Sequence, residues 1–279
     1  EKLIADVPNG EQFFTTRNGK ALECISAAEA ARWVVHTQAY DPSGIRSGAV
    51  GDPEVKGGKG YPIGPAWCGH LGLVWLKGKN FNETLLLNLV PADAGDLKGV
   101  PVTTEWDWCT WEVSTPETSA RGNYSRLDPK GTPRDLSIPK LLTWHSRRIK
   151  LIGDSNGVTS VVLAQGDKLA PQQMQRYEPQ SLWRYSLPQS RNHKQDVYMP
   201  SKFKAGRALW RDLPGTLPVC EMITGADKQP KREFLQSAVL SFHAELKSSM
   251  LAEDYPTQMQ IQAVGVTYGP QEATVDDIY

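Results

Sequence analysis

Apolar residues along the chain change period several times, and each period marks an element. Ala27, Ala30, Ala31 and Val34 recur at helical spacing. Ser26 and Glu29 open this run as a capping box, S-x-x-E, in which each side chain satisfies the other's free backbone N–H. A helix is predicted over 26–39, ended by the turn Asp41-Pro42-Ser43-Gly44. A second helix is predicted from an Asn82 cap through Val90, with Glu83 at its positive start. Trp144, Ile149 and Ile152 lead to Gly153-Asp154-Ser155-Asn156-Gly157, and Val158, Val161, Val162 and Leu163 return, which predicts a β-hairpin over 143–165. Phe234, Leu235, Ala238, Val239, Phe242 and Leu246 form one stripe and predict an amphipathic helix over 232–250. Met259–Tyr268 reads as a strand that turns at Gly269-Pro270-Gln271-Glu272.

The intervals carry no such period. Residues 43–66 hold glycine at 44, 48, 51, 57, 58, 60 and 64, with Pro53, Pro62 and Pro65, too many breakers for regular structure. A long shaped loop is expected there, and long loops in compact domains tend to be functional. Residues 91–142 are proline-punctuated, with Trp106, Trp108 and Trp111 expected to pack under a loop. The expected fold class is α+β: one large irregular domain over 1–279, with short mixed sheets, a few helices and long ordered loops.

Composition fits a soluble globular chain, with 39% hydrophobic and 22% charged residues. The longest apolar run, Leu85–Val90, is broken by Asn88 and is far short of a membrane span. The N-terminus has no signal-peptide pattern and no initiator Met, which suggests a trimmed chain or a fragment. Cys24, Cys68, Cys109 and Cys220 are irregularly spaced, so reduced thiols in a cytoplasmic protein are expected rather than a zinc knuckle or a disulfide scaffold.

Charge changes the picture more. The formal charge of the whole chain is zero, yet residues 168–211 hold nine Lys or Arg against only Glu178 and Asp196. Tyr177, Trp183, Tyr185, Tyr198, Phe203 and Trp210 are interleaved with these cations. Cations bind phosphates and aromatic faces stack on bases, so nucleic acid is favoured over a solvated positive face with its aromatics buried beneath.

Other motifs carry less. Lys56-Gly57-Gly58-Lys59-Gly60 fails the phosphate-loop pattern, because Pro53 stands where Gly is required and Gly60 where Ser or Thr must be. It also fails the dinucleotide fingerprint at Ile63. A flexible loop with two lysines remains. Cys68 and His70 could form a nucleophile and base, although residues two apart need special geometry to pair and packing is the commoner fate.

Over longer stretches the residues resemble a family. The run Ala31–Val90, together with TWHSRRIKL, VVLAQGDKLAPQ, EPQSLWRYS, DVYMP, GRALWR and AVGVTYGPQEATVDD, closely resembles the CasA family. These are the large subunits of the type I-E Cascade CRISPR surveillance complex. The resemblance covers nearly all 279 residues. Family members are longer, so it implies a fragment without the far N-terminal part and without the C-terminal four-helix bundle. It also implies a non-catalytic subunit that reads the protospacer-adjacent motif in target double-stranded DNA, starts strand separation and helps recruit the helicase-nuclease. Guide RNA would read the rest of the target. The implied partners are the other Cascade subunits, guide RNA, target duplex and helicase-nuclease. No membrane is implied, and no cofactor or metal, because the cysteine cluster of some members is absent.

By the same resemblance, Phe14, Thr15, Thr16 and Arg17 match the loop that meets the complex at the guide-RNA 5′ end. The motif-touching glycine loop best matches Ser43, Gly44, Arg46, Ser47 and Gly48, with Gly57, Gly58, Lys59 and Gly60 as second choice. The strand-separating wedge matches Gln271, Glu272 and Ala273. Glu272 departs from this role, since phosphates repel a carboxylate. Either Gln271 or Ala273 then inserts, or Glu272 points away. The family's motif-contacting lysine has no clear match, and Arg176 is the nearest cation. Arg176, Arg184, Lys202, Lys204 and Arg207 are the expected phosphate contacts, which position DNA without reading it. Two rival readings remain: an enzyme acting on nucleic acid through Cys68 and His70, and a structural subunit whose positive face holds RNA or protein.

Overall fold

The computed structural model describes residues 23–91, 109–112, 136–203, 221–249 and 258–278 without a break, together with short pieces elsewhere. Helix α1, Ala27–Tyr40, starts where the capping signal puts it: Ser26 accepts from the Glu29 N–H at 3.2 Å. The reciprocal half of the box is replaced. Glu29 turns its carboxylate to Arg17 and to Trp33 Nε1.

The stretch after α1 is less irregular than expected. Strands β1 (Arg46–Ser47), β2 (Val55–Lys56) and β3 (Lys59–Gly60) form a small antiparallel sheet in the order β1-β3-β2. Gly57 and Gly58 take φ of +57° and +73°, the left-handed pair that closes a two-residue hairpin and sets Lys56 opposite Lys59. Here glycine builds regular structure.

Strand β4 is Leu73–Lys77. Helix α2, Phe81–Leu87, is capped by Asn80 rather than Asn82: Asn80 Oδ1 accepts from the Glu83 N–H at 2.9 Å. Glu83 accepts in return from the Lys79 N–H at 2.6 Å. The helix stops before Val90 because Asn88 turns its amide to the Leu76 backbone, at 3.0 and 2.8 Å, stapling α2 to β4. A short helix, α3 (Ile138–Leu142), lies in the region expected to be irregular. Trp111 is exposed rather than packed, and Trp106 and Trp108 lie outside the described residues.

The predicted hairpin is β5 (Arg147–Asp154) and β6 (Gly157–Gln165), turned at Ser155-Asn156; its Ile149, Val158 and Val161 pack against the cluster of Leu3, Ile25 and Ala30, as do Trp33 and Val34 of α1. The basic stretch follows with β7 (Trp183–Tyr185), helix α4 (Leu187–His193) and β8 (Tyr198–Pro200). A small hairpin, β9 (Met222–Thr224) and β10 (Pro230–Arg232), precedes β11 (Phe234–Leu235), which completes the sheet β8-β7-β11. Helix α5 therefore begins only at Ala238, capped by Ser237, and runs to Ser248. Phe234 and Leu235 belong to a strand because they pair with Arg184 and Trp183.

The strand expected over 259–268 is two strands. β12 (Gln260–Val264) pairs with β4, and β13 (Val266–Tyr268) pairs with β14 (Val275–Ile278). The α+β class thus holds, with short sheets linked by long ordered connections. The main core gathers Trp67, Leu71, Leu141, Trp144, Met174, Tyr177, Trp183 and Leu235. A second cluster holds Val74, Leu76, Leu182, Phe203 and Val239. Among the described residues, no helix is long and apolar enough to cross a membrane.

Candidate nucleic-acid interface

The first-choice and second-choice glycine segments are one unit. Arg46 and Ser47 pair with Gly60 and Lys59, and the Gly48 N–H donates to the Gly58 carbonyl at 2.9 Å. Ser47 and Lys59 are exposed, while Ser43 is buried. Arg46 faces inward: its Nη2 reaches the Asp41 carboxylate at 2.7 Å and the Pro42 carbonyl at 3.0 Å.

This unit meets the turn after β13. The Ser43 N–H donates to the Glu272 carbonyl at 2.8 Å, and the Tyr268 hydroxyl donates to the Tyr40 carbonyl at 2.9 Å. Gln271 and Glu272 both take φ of +57°, a left-handed conformation that costs a non-glycine residue about 1–3 kcal/mol. Surrounding hydrogen bonds hold it: Glu272 N–H to the Gly269 carbonyl at 3.0 Å and Gly269 N–H to the Thr274 carbonyl at 3.1 Å. The result exposes Gln271 and Ala273 and half-buries Glu272, whose carboxylate lies 3.9 Å from Lys202 Nζ. Burial pulls the Lys202 pKa below the ordinary lysine value, with Glu272 acting the other way.

The other cations divide. Arg184 is exposed on β7 between the buried rings of Trp183 and Tyr185, and Arg176 is exposed on the turn at Met174–Arg176. No hydrogen bond or ion pair among the described residues joins either one to 43–48 or to 270–273. Lys204 and Arg207 lie outside the described residues, as do Phe14, Thr15 and Thr16. Arg17 is described, ion-paired to Glu29 and 5.8 Å from the Trp33 ring centroid. Four of the six interleaved aromatics are corrected: Tyr177, Trp183, Tyr185 and Phe203 are buried, while Tyr198 is half-buried and Trp210 lies outside the described residues. Full burial of such a ring stabilises by about 2–3 kcal/mol, so these rings are core and offer no stacking platform. Among the described residues of the stretch, Lys168, Arg176, Arg184, Arg191, Lys194 and Lys202 are exposed.

The sequence model of the family described as CRISPR-associated protein Cse1 matches residues 1–279. The chain belongs to the Cse1 family. The crystal structure of Thermobifida fusca Cse1 is similar over 99% of this chain and 49% of that one, with 40% identity and a TM-score of 0.79. Thermus thermophilus CasA (Cse1) shares the fold at 22% identity and a TM-score of 0.58, over 92% of this chain and 47% of that one. A chain of a CRISPR RNA-guided surveillance complex does so at 20% identity and a TM-score of 0.55, over 92% and 44%. The resemblance to CasA is thereby borne out at the level of family. This chain spans about half the length of these Cse1 structures. No curated protein matches it in sequence.

In this Cse1 chain Cys68 and His70 are not an activated pair. Burial, and then the Glu178 charge, push the Cys68 thiol up to about 12. Burial, and then Lys202, pull the His70 imidazole down to about 4. Both are neutral near pH 7, and a nucleophile needs a depressed thiol pKa or a base in reach. His70 lies against the Trp67 ring, centroids 6.3 Å apart. Among the described residues, no group of three or more His, Cys, Asp or Glu is arranged to hold a metal ion.

Sequence reasoning missed Asp41, Arg147 and Gln165, which underlie the glycine unit. Arg147 is 1% exposed, with Nε on the Asp41 carboxylate at 2.5 Å. A trace was present: Arg147 and Gln165 continue the row of Ile149 and Leu163 on one face of the hairpin, where a charge demands a partner.

Proposed function

We propose that this chain is the target-recognition part of a large subunit in an RNA-guided CRISPR surveillance complex. It reads the protospacer-adjacent motif in double-stranded DNA and starts strand separation, without catalysis. The observation that carries this reading is the bond from Ser43 N–H to the Glu272 carbonyl, which holds the glycine unit and the exposed turn against one another. A glycine-bearing backbone fits the narrow minor groove, whose readout is degenerate and therefore suits a tolerant motif. A short turn beside it wedges a base step apart for a few kcal/mol, which later guide pairing offsets.

Gln271 and Ala273 are the inserting residues, because Glu272 directs its carboxylate towards Lys202. Arg176, Arg184 and Lys202, with Lys204 and Arg207, contact phosphates. Residues 14–17 meet the neighbouring subunits and the guide RNA, and the assembled complex recruits a helicase-nuclease inside the cell. The neutral Cys68 and His70 support the absence of catalysis.

The test is a full-length subunit carrying Gln271→Gly and Ala273→Gly in the assembled complex. Dissociation constants are measured for duplexes with and without the motif. Discrimination is expected to fall about tenfold, the scale of one base-pair contact. Unchanged discrimination would remove the wedge assignment. Charge removal at Arg176 and Arg184 should instead flatten the salt dependence and leave discrimination intact.

A further inference from the structure

Residues 43–66 leave α1 at Asp41 and rejoin the fold at Ala66, whose N–H donates to the Asp41 carbonyl at 2.9 Å. The Arg147 guanidinium lies inside this neck. Its Nη2 donates to the Pro42 carbonyl at 3.0 Å and the Gly64 carbonyl at 2.9 Å, one on each side of the neck. Its Nε takes the Asp41 carboxylate and its Nη1 the Ser146 carbonyl at 2.9 Å. The Arg147 backbone is itself fixed on both sides by the Gln38 amide, at 2.9 and 2.7 Å.

Gln165 stands directly across the hairpin from Arg147. Its Nε2 donates to the Gly44 carbonyl at 2.8 Å and the Gly60 carbonyl at 3.4 Å. Two cross-strand neighbours thus hold four carbonyls of the glycine unit, at its neck and at its small sheet. An apolar floor would cover these residues as well. A buried charge is costly unless fully bonded, so a guanidinium is warranted here by what its planar fork does to the backbone. The next residue after Pro42 is Ser43, which bonds the Glu272 carbonyl. A shift at the Arg147 fork is therefore passed within one residue to the exposed turn.

We infer that Arg147 and Gln165 are positioning residues that set the glycine unit against the Gln271–Ala273 turn, and so set motif discrimination without touching DNA. This rests on the function proposed above.

Two measurements test it. In the full-length subunit, hydrogen exchange at the Ser43 amide reports the joint between the two loops. Arg147→Lys, which keeps the charge and loses the fork, should speed that exchange about tenfold. Unchanged exchange would overturn the inference whatever the chain's function. In the assembled complex, Arg147→Lys should lower discrimination between duplexes with and without the motif about tenfold. Binding of a single-stranded target, which needs no motif reading or wedging, should stay unchanged. Equal losses on both targets would mean a merely structural role. If Arg147→Lys does not fold, Gln165→Leu carries both tests with the same expected direction. Loss of discrimination in the Gln271→Gly, Ala273→Gly variant but not in the Arg147 or Gln165 variants would defeat this inference alone. No loss in any of them would defeat the function beneath it.

Discussion

Lys202 holds its ammonium 3.9 Å from the Glu272 carboxylate, tying the basic stretch to the turn after β13. Both side chains are substantially exposed, at 39% and 46%, and exposed ion pairs contribute about 0–1 kcal/mol to stability. The pair therefore matters for direction: it turns the carboxylate towards a lysine of the basic stretch. Glu272→Gln should leave the thermal midpoint within ~2 °C of the parent. It should also remove a negative charge beside the phosphate that Lys202 contacts, tightening duplex binding by the complex about 2–5-fold at low salt, with the gain fading as salt rises. A salt titration of parent and variant checks this, and weakened binding would show that the carboxylate helps DNA rather than avoiding it.

Glu178 makes stability depend on pH. Its carboxyl is buried at 2% exposure, accepts from the Gln180 N–H at 2.8 Å, and is raised by burial from an ordinary 4.5 to about 7. Between those values the folded chain keeps a proton that the unfolded chain has lost. The Glu178 contribution to stability therefore falls as pH rises from about 4.5 to about 7 and levels off above, at about 1.4 kcal/mol for each pKa unit separating the two states, while the depressed His70 contributes in the opposite sense. Glu178→Gln retains the acceptor and removes the titration. Urea denaturation should find the variant about equal to the parent at pH 4.5 and more stable by ~1–3 kcal/mol at pH 8. A variant whose advantage over the parent does not grow between pH 4.5 and pH 8 would contradict the assignment.

How much was legible follows from range. The β5–β6 hairpin and α1 were readable because alternation, turn and cap are local signals. The start of α5 was not, because Phe234 and Leu235 sit in register with its apolar stripe yet pair with residues of β7 far away in the chain. The same holds for the split of 259–268, where β12 and β13 answer to different partners. In the basic stretch charge was legible and burial was not: the same rings fit a stacking platform or a core, and only packing decides. At the candidate site, string resemblance proposed two loops far apart in the chain, and the structure joins them through the Ser43 N–H and the Glu272 carbonyl. It carried no sign of the Arg147 fork, which joins Asp41, Pro42 and Gly64 across the fold.

Gly48 and Gly58 separate the two parts of the glycine unit. A Cβ at Gly48 would lie 2.5 Å from Val55 Cγ1 and 2.9 Å from the Gly58 carbonyl oxygen, so Gly48→Ala must push β2 and the hairpin tip away from β1. A Cβ at Gly58 meets nothing within 4 Å, and the only penalty is its φ of +73°, about 1 kcal/mol for alanine. If the 43–48 segment touches the motif, Gly48→Ala should reduce discrimination by the assembled complex about tenfold, while Gly58→Ala changes it less than about twofold. The opposite order would move the contact to the hairpin tip, where Gly57 and Gly58 stand between the exposed Lys56 and Lys59. Because Gly58→Ala strains the tip without displacing its neighbours, loss of discrimination there would mean that DNA meets the tip itself.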